Sequence, residues 1–243
     1  MQDANIVQRV RRVLTILAIF AVGALAQGSG LLPEIFSYWR DIVYLGREHL
    51  YLVALSGGLA VGVGVPLGVF LTRPWMRKFA ESTIQIVNLG QTIPTLAVLA
   101  LSMSVLGIGT IPAIFALWLY TLLPIVRNTY QGILSVSPAT LEAARGMGMT
   151  NAQILWRVEL PNALYVMIAG IRTALVINVG TVPLAFLIGG GGLGQLIFTG
   201  IDLFNTGMLL AGAVPTAMLA VVVDFTLGLI AFYFVPRGVN PLR

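Results

Sequence analysis

From Ser82 to Val126 the chain runs for 45 residues without a single Asp, Glu, Lys or Arg. At a rise of about 1.5 Å per residue, one helix of that length would be more than twice the roughly 30 Å of a bilayer's hydrocarbon core. The run therefore holds two membrane-length segments and a break between them. "GIGTIP" (107–112) supplies the break, because paired glycines and a proline punctuate a helix. The same test marks 13–32 (weakened by Gln27, Gly28, Ser29 and Gly30), 50–72, 173–201, and 203–236, where Asp224 is the sole charge. Six helices are predicted, near 13–32, 50–72, 83–106, 112–134, 162–188 and 207–235. The expected fold class is all-α, a polytopic helical membrane protein.

Composition enters as a set of exclusions. Only 9% of residues are charged, against roughly 25% in ordinary soluble domains. With no cysteine there is no disulfide, thiolate metal site or cysteine nucleophile, and His49, the sole histidine, cannot form a histidine metal cluster within one chain. No metal site is expected. The net charge of +5 does not point to nucleic acid, because the positive residues are dispersed among membrane segments. They do set an orientation. With a cytoplasmic N-terminus, the inner side receives Arg9, Arg11, Arg12, Arg73, Arg77, Lys78, Arg145, Arg157, Arg237 and Arg243, and the outer side only Arg40 and Arg47. The N-terminus, 73–82, 135–161 and the C-terminus are thus expected on the cytoplasmic side of the membrane.

Residues 33–49, with Tyr38, Trp39 and Tyr44 among balanced charges, read as an interfacial segment on the outer surface. Arg9, Arg11 and Arg12, an apolar run, then Ala24-Leu25-Ala26 also fit a cleaved signal peptide. Retention and cleavage leave the remaining topology the same.

The cytoplasmic stretch has internal order. Ser137 is a favoured N-cap and Pro138 a favoured first helical residue. The helix continues through Leu141, Glu142, Ala143 and Ala144, and Gly146 and Gly148 can end it, since glycine accepts the left-handed conformation common at helix ends. Thr150 and Gln153 have capping-box spacing for a second helix, which runs to Pro161 at the mouth of the next span. Ala143, Ala144, Gly146 and Gly148 offer a small-residue face for close approach, with Glu142 and Arg145 free to pair at its rim.

Glu142-Ala143-Ala144, three residues, Gly148, nine residues, then Val158-x-Leu160-Pro161 resembles the cytoplasmic signature of permease subunits in binding-protein-dependent ABC importers. Val158 stands where the signature has isoleucine. The resemblance covers about 47–238 and is nearest the osmoprotectant group, which imports glycine betaine, choline or carnitine. "GVPLGVFLTR" (64–73), "QTIPTLAVLA" (91–100), "LPIVRNTYQGI" (123–133) and "GGGGLGQLIF" (189–198) are among the stretches that carry it.

The resemblance implies a five-helix core shared with methionine importers, with residues 1–46, including the first helix, as an addition. It implies coupling helices near 138–160, of which the helix after Ser137 docks on a separate ATPase. Glu142, Ala143, Ala144, Arg145, Gly146 and Gly148 would carry that coupling. The partners implied are an ABC ATPase, which binds ATP and Mg, a second permease (identical or paralogous), an external solute-binding protein and membrane lipid. The chain itself would hold no cofactor and catalyse no reaction. An amino-acid importer of the methionine type is the alternative within the class.

Other constellations need weighing. No G-x-x-x-x-G-K-[ST] occurs, so ATP hydrolysis through such a site would belong to a partner. "GGGGLG" (189–194) satisfies G-x-G-x-x-G through Gly189, Gly191 and Gly194, yet no βαβ unit surrounds it. It reads as a turn or gate element at the outer mouth. Asn88, Gln91 and Thr92, with Pro94 removing a backbone donor, are candidates for a translocation path, followed by Asn178 and Thr181. Interhelical hydrogen bonding is the competing role for the group at 88–94. Arg127, Arg172 and Asp224 are intramembrane ionisable residues. Arg172 and Asp224 are read as a structural ion pair, with a proton relay disfavoured because the predicted spans hold no second acid. An ion-coupled secondary transporter and a membrane-anchored assembly factor are the rival classes. Trp118 and Tyr120 are not assigned to an aromatic cage.

Overall fold

The computed structural model describes residues 30–236 and 238. They form helices and no strand: α1 (Leu31–Ser37), α2 (Trp39–Leu71), α3 (Arg77–Gly90), α4 (Thr95–Leu106), α5 (Thr110–Leu134), α6 (Pro138–Gly146), α7 (Asn151–Ile154), α8 (Leu160–Thr181), α9 (Gly194–Asp202) and α10 (Thr206–Phe234). A 3-10 turn (Pro74–Met76) precedes α3, a π turn (Leu155–Glu159) joins α7 to α8, and a 3-10 segment (Val182–Ile188) extends α8. The predicted first helix, 13–32, lies outside the described residues but for its last three positions. Four helices are long and apolar enough to cross a membrane, or five if the bent pair α3–α4 is one span.

That pair covers the span predicted near 83–106, in which Pro94 removes a backbone donor. Lys78–Gly90 and Thr95–Leu106 meet at 97°. Pro94 is the cause: it has no N–H to donate, and its ring pushes Ile93 out of the helical region. The turn is closed instead by Thr92 N–H to Leu89 O at 3.0 Å and Ile93 N–H to Gly90 O at 3.3 Å. With 14 and 12 residues, the halves reach only about 21 and 18 Å at helical rise. The break at "GIGTIP" falls as predicted, with Gly107 and Gly109 at φ 85° and 131° between α4 and α5.

The segment 33–49 is helical: α1 reaches Ser37, and α2 starts at Trp39 and runs unbroken for 33 residues. Trp39 and Tyr44 are exposed, while Leu45 is buried with Leu193, Leu196 and Ala211, and Ile35, Tyr38 and Ile42 pack on the same cluster. Asn205 Nδ2 donates to the Tyr38 hydroxyl at 3.2 Å. At about 50 Å, α2 outruns the hydrocarbon core, and its extension carries Asp41 and Glu48. The long apolar helices are therefore not free of acids other than Asp224.

Helix α5 is the centre of the packing, in contact with α2, α3, α4 and α8. Leu52, Leu99, Leu117, Val179 and Ile188 form one core cluster, and Ala60, Leu122, Ile125 and Ala174 are part of a second. Small residues on α2 permit this closeness, as lipid-embedded contacts require. A Cβ at Gly68 would lie 2.6 Å from Thr129 Cβ and 2.9 Å from the Val126 carbonyl, whereas one at Gly62 would meet nothing within 4 Å. Gly68→Leu is expected to cost about 1–3 kcal/mol through overpacking and to lower the thermal midpoint of the purified protein, with Gly62→Leu near the parent. Equal midpoints for the two would contradict the packing.

Candidate functional site

The ordered stretch between α5 and α8 is a compact helical hairpin. Ser137 occupies the N-cap position of α6, but its side chain makes no capping bond. Its carbonyl accepts from Thr140 and Leu141 N–H at 3.0 and 3.2 Å. The helix is stopped at Gly148, not Gly146. Gly148 takes φ 76°, its N–H donates to Arg145 O at 2.9 Å, and Met149 N–H reaches Ala144 O at 3.2 Å. That pair of bonds is a Schellman end, which needs a left-handed residue at the Gly148 position. Thr150 starts α7 with the expected reciprocal box, Thr150 N–H to Gln153 Oε1 at 2.8 Å and Gln153 N–H to Thr150 Oγ1 at 3.3 Å.

Exposure sorts the expected coupling residues. Glu142, Ala143, Arg145, Gly146 and Gly148 are exposed, and Met147 beside them is 74% exposed. Ala144 is buried, so it serves the hairpin's own contacts and not an outward small-residue face. Glu142 and Arg145 do not pair: the ion pairs among the described residues are Arg73–Glu159 and Arg172–Asp224.

The first of those pairs was not anticipated. Arg73 follows α2 and Glu159 ends the π turn, and Arg73 Nη2 donates to Glu159 Oε2 at 2.6 Å. A separation of 86 residues leaves no local sequence signal for such a contact. The π turn itself has a local cause. Pro161 lacks the N–H that the Arg157 carbonyl would accept and its ring crowds that carbonyl, so Leu160 N–H bonds five residues back to Leu155 O. Asn162 Nδ2 covers Val158 O at 2.7 Å.

The candidate path residues fall into two groups. Asn88, Gln91, Thr92 and Pro94 gather at the α3–α4 bend. Asn88 Oδ1 and Gln91 Nε2 are buried with no hydrogen-bond partner in the chain, Thr92 is exposed with its hydroxyl on Leu89 O, and Pro94 is exposed. Asn178 and Thr181 lie elsewhere, on α8. Asn178 is 1% exposed and donates to Ser56 Oγ at 2.8 Å, which makes it interhelical hydrogen bonding between α2 and α8 in this conformation. Thr181 donates to its own helix at Asn178 O. His49, also fully buried, bonds through Nε2 to Val179 O at 3.1 Å, so that nitrogen carries the proton.

Arg172 and Asp224 are brought together across α8 and α10, with Arg172 Nε and Nη2 on the two carboxylate oxygens. Their side chains remain 41% and 43% exposed, in a groove of about 400 Å³ shared with Tyr165, Thr173 and Gly228. At the far end of α8, Gly189, Gly191 and Gly192 have φ near 80°, and Gly192 N–H donates to Glu48 Oε2 at 3.1 Å. A carboxylate already sits where a phosphate cradle would hold its anion. The loop closes against α2.

Several helices long and apolar enough to cross a membrane, an apolar pair bent by 97° and an exposed helical hairpin are the architecture of a multi-pass membrane protein. Residues 64–238 match the family described as binding-protein-dependent transport system inner membrane component, and the chain belongs to that family. It is 50% identical over 217 residues to the osmoprotectant import permease protein OsmY of Salmonella typhimurium, covering 88% of this chain and 92% of that one. It is 42% identical over 203 residues to the glycine betaine/carnitine/choline transport system permease protein OpuCB of Bacillus subtilis, covering 84% and 93%. Among solved structures, it is similar to the inward-facing MetNI methionine ABC transporter, with TM-score 0.71, 27% identity, and 82% of this chain and 96% of that chain covered.

The half-exposed pair yields a test. Asp224→Asn and Arg172→Gln each strand a charge on a membrane helix, which is costly, while the double substitution strands none. The double variant should retain a higher thermal midpoint than the sum of the single losses allows. Strictly additive losses would dismiss the coupling.

Proposed function

We infer that this chain is the translocating subunit of an ABC importer for osmoprotectants of the glycine betaine, choline or carnitine kind, driven by a separate ATPase. The observation that carries the reading is the exposed hairpin surface Glu142–Gly148, held by a Schellman end and a capping box, in a chain of this family. Its internal bonding makes it a rigid knob able to take a push. The solute class is supported by the names of relatives at 42–50% identity, and a methionine-type solute has the weaker support of 27%.

The working unit has two such permeases, this chain twice or with a paralogue, two ATPases and an external solute-binding protein. ATP and Mg belong to the ATPases. The arginine distribution supports a cytoplasmic N-terminus, 73–82, 135–161 and C-terminus in a bacterial inner membrane. The bend at Asn88, Gln91, Thr92 and Pro94 lines the solute path, since broken helices with polar side chains are tolerated at depth where they face a cavity or another chain. The Arg172–Asp224 pair holds α8 and α10 together.

Two experiments bear on this. Cysteines placed at Ser37 and Thr150, both exposed, are expected to react from opposite faces of intact cells. Reaction of both from outside reverses the topology. Gly148→Leu forces a branched side chain into a left-handed backbone at a cost of about 1–2 kcal/mol and adds bulk on the docking face, while no atom of its own chain lies within 4 Å of the new Cβ. Membrane insertion should be normal, ATPase co-purification weakened and uptake lost. Thr150→Ala, which removes one cap, should do much less. Normal uptake with the ATPase fully bound in Gly148→Leu would sink the coupling assignment.

A further inference from the structure

The hairpin reaches the membrane helices by three routes. One is the chain from α5 through Ser135–Ser137, and another is the chain into α8. The second passes the π turn, where Leu160 N–H bonds to Leu155 O and Pro161 supplies no donor. Such a turn is a local widening that recurs at functional sites and is one of the places where helices kink. The third route is the Arg73–Glu159 pair, which leaves the hairpin at that same turn and enters the end of α2.

Arg73 is fixed before Glu159 meets it. Its Nε lies 3.3 Å from Val69 O and 3.2 Å from Thr72 Oγ1, and its Nη2 is 2.7 Å from Thr72 Oγ1. Thr72 Oγ1 in turn donates to Val69 O at 2.6 Å. The guanidinium thereby sits on the Val69 carbonyl in the last turn of α2, where a cation is favoured by the helix dipole, and Phe70 and Trp75 pack edge to face at 4.6 Å across the turn that follows. The side chains of Arg73 and Glu159 are 20% and 15% exposed, so water screens the pair far less than a rim contact.

We propose that Arg73 and Glu159 are positioning residues that transmit displacement of the cytoplasmic hairpin into α2. This rests on the hairpin being the ATPase-docking element. Motion of the hairpin reaches Glu159 at the α8 end of the π turn and is passed to the guanidinium and so to α2, which packs closely on α5. The α2 end and the start of α8 then move with the hairpin as one unit. Glu159 and Arg73 touch no solute, and their effect is on the number of solutes carried per ATP hydrolysed.

The test uses the complete transporter, purified with its ATPase and binding protein and placed in proteoliposomes, with radiolabelled glycine betaine, choline and carnitine as probes. Glu159→Gln keeps shape and loses the charge. Its ATP hydrolysis is expected to stay within about twofold of the parent while uptake per ATP falls about tenfold, as expected for an ion pair deprived of one partner. The reversed pair R73E/E159R should regain part of the ratio, because a carboxylate at position 73 loses the favoured place of a cation at the end of α2. Thr72→Val, which frees the guanidinium without removing the charge, should lower it less, and it decides the matter if the charge variants fail to assemble. An unchanged ratio in assembled Glu159→Gln, or in Thr72→Val where that variant must decide, overturns the proposal. So does a reversed pair no better than the single changes. If the unaltered chain purifies with no ATPase, the reading of function itself has failed, and that is visible before any variant is made.

Discussion

Hydrocarbon offers a backbone N–H or C=O no partner, and an unpaired group there costs several kcal/mol. Each departure from α-helical bonding in this chain must therefore be repaired locally. At the α3–α4 bend, Thr92 and Ile93 turn back three residues. Before Pro161, Leu160 reaches five residues and Asn162 covers Val158 O. From Val182, with Pro183 in its first turn, the helix tightens into a 3-10 segment that ends at left-handed Gly189. Asn128 Nδ2 donates to the Pro124 carbonyl in α5. Pro94, Pro161 and Pro183 stand at the bend, the π turn and the 3-10 segment, whereas Pro66, Pro124 and Pro215 lie inside unbroken helices.

This division gives the two ends of α8 different mechanics. At the end away from the hairpin, Gly192 is bonded to Glu48, His49 to Val179 and Asn178 to Ser56, so α2, α8 and the glycine loop are cross-tied. At the hairpin end, the chain continuity runs through a π turn and the cross-tie is the Arg73–Glu159 pair. In the proposed coupling, a push on the hairpin is delivered to helices whose far ends are fastened to one another.

Much of this was legible in the residues, for local reasons. Paired glycines mark the α4–α5 break because the backbone there takes φ values that other residues avoid. The Thr150–Gln153 box and the stop at Gly148 follow from side-chain and backbone chemistry within five residues. The failures are non-local or turn on phase. Pro94 was visible, but hydropathy alone does not say that a 24-residue apolar stretch bends by 97°. The start of α2 at Trp39 depends on Leu45 and Tyr38 finding α9 and α10. Ala144 and Asn178 are turned into helix contacts by packing that the alphabet of polar and small residues does not reveal. The Arg73–Glu159 pair joins positions 86 residues apart.

The central claim is that transport is powered through the hairpin by ATP hydrolysed on a partner, not by an ion gradient acting on intramembrane charges. The most direct measurement is uptake of labelled glycine betaine, choline or carnitine by proteoliposomes holding the purified complex, with proton and sodium gradients collapsed by ionophores. Uptake that requires ATP on the hairpin side and persists without gradients is the predicted result. Uptake that needs no ATP, or that stops when the gradients collapse although ATP remains, would contradict the account.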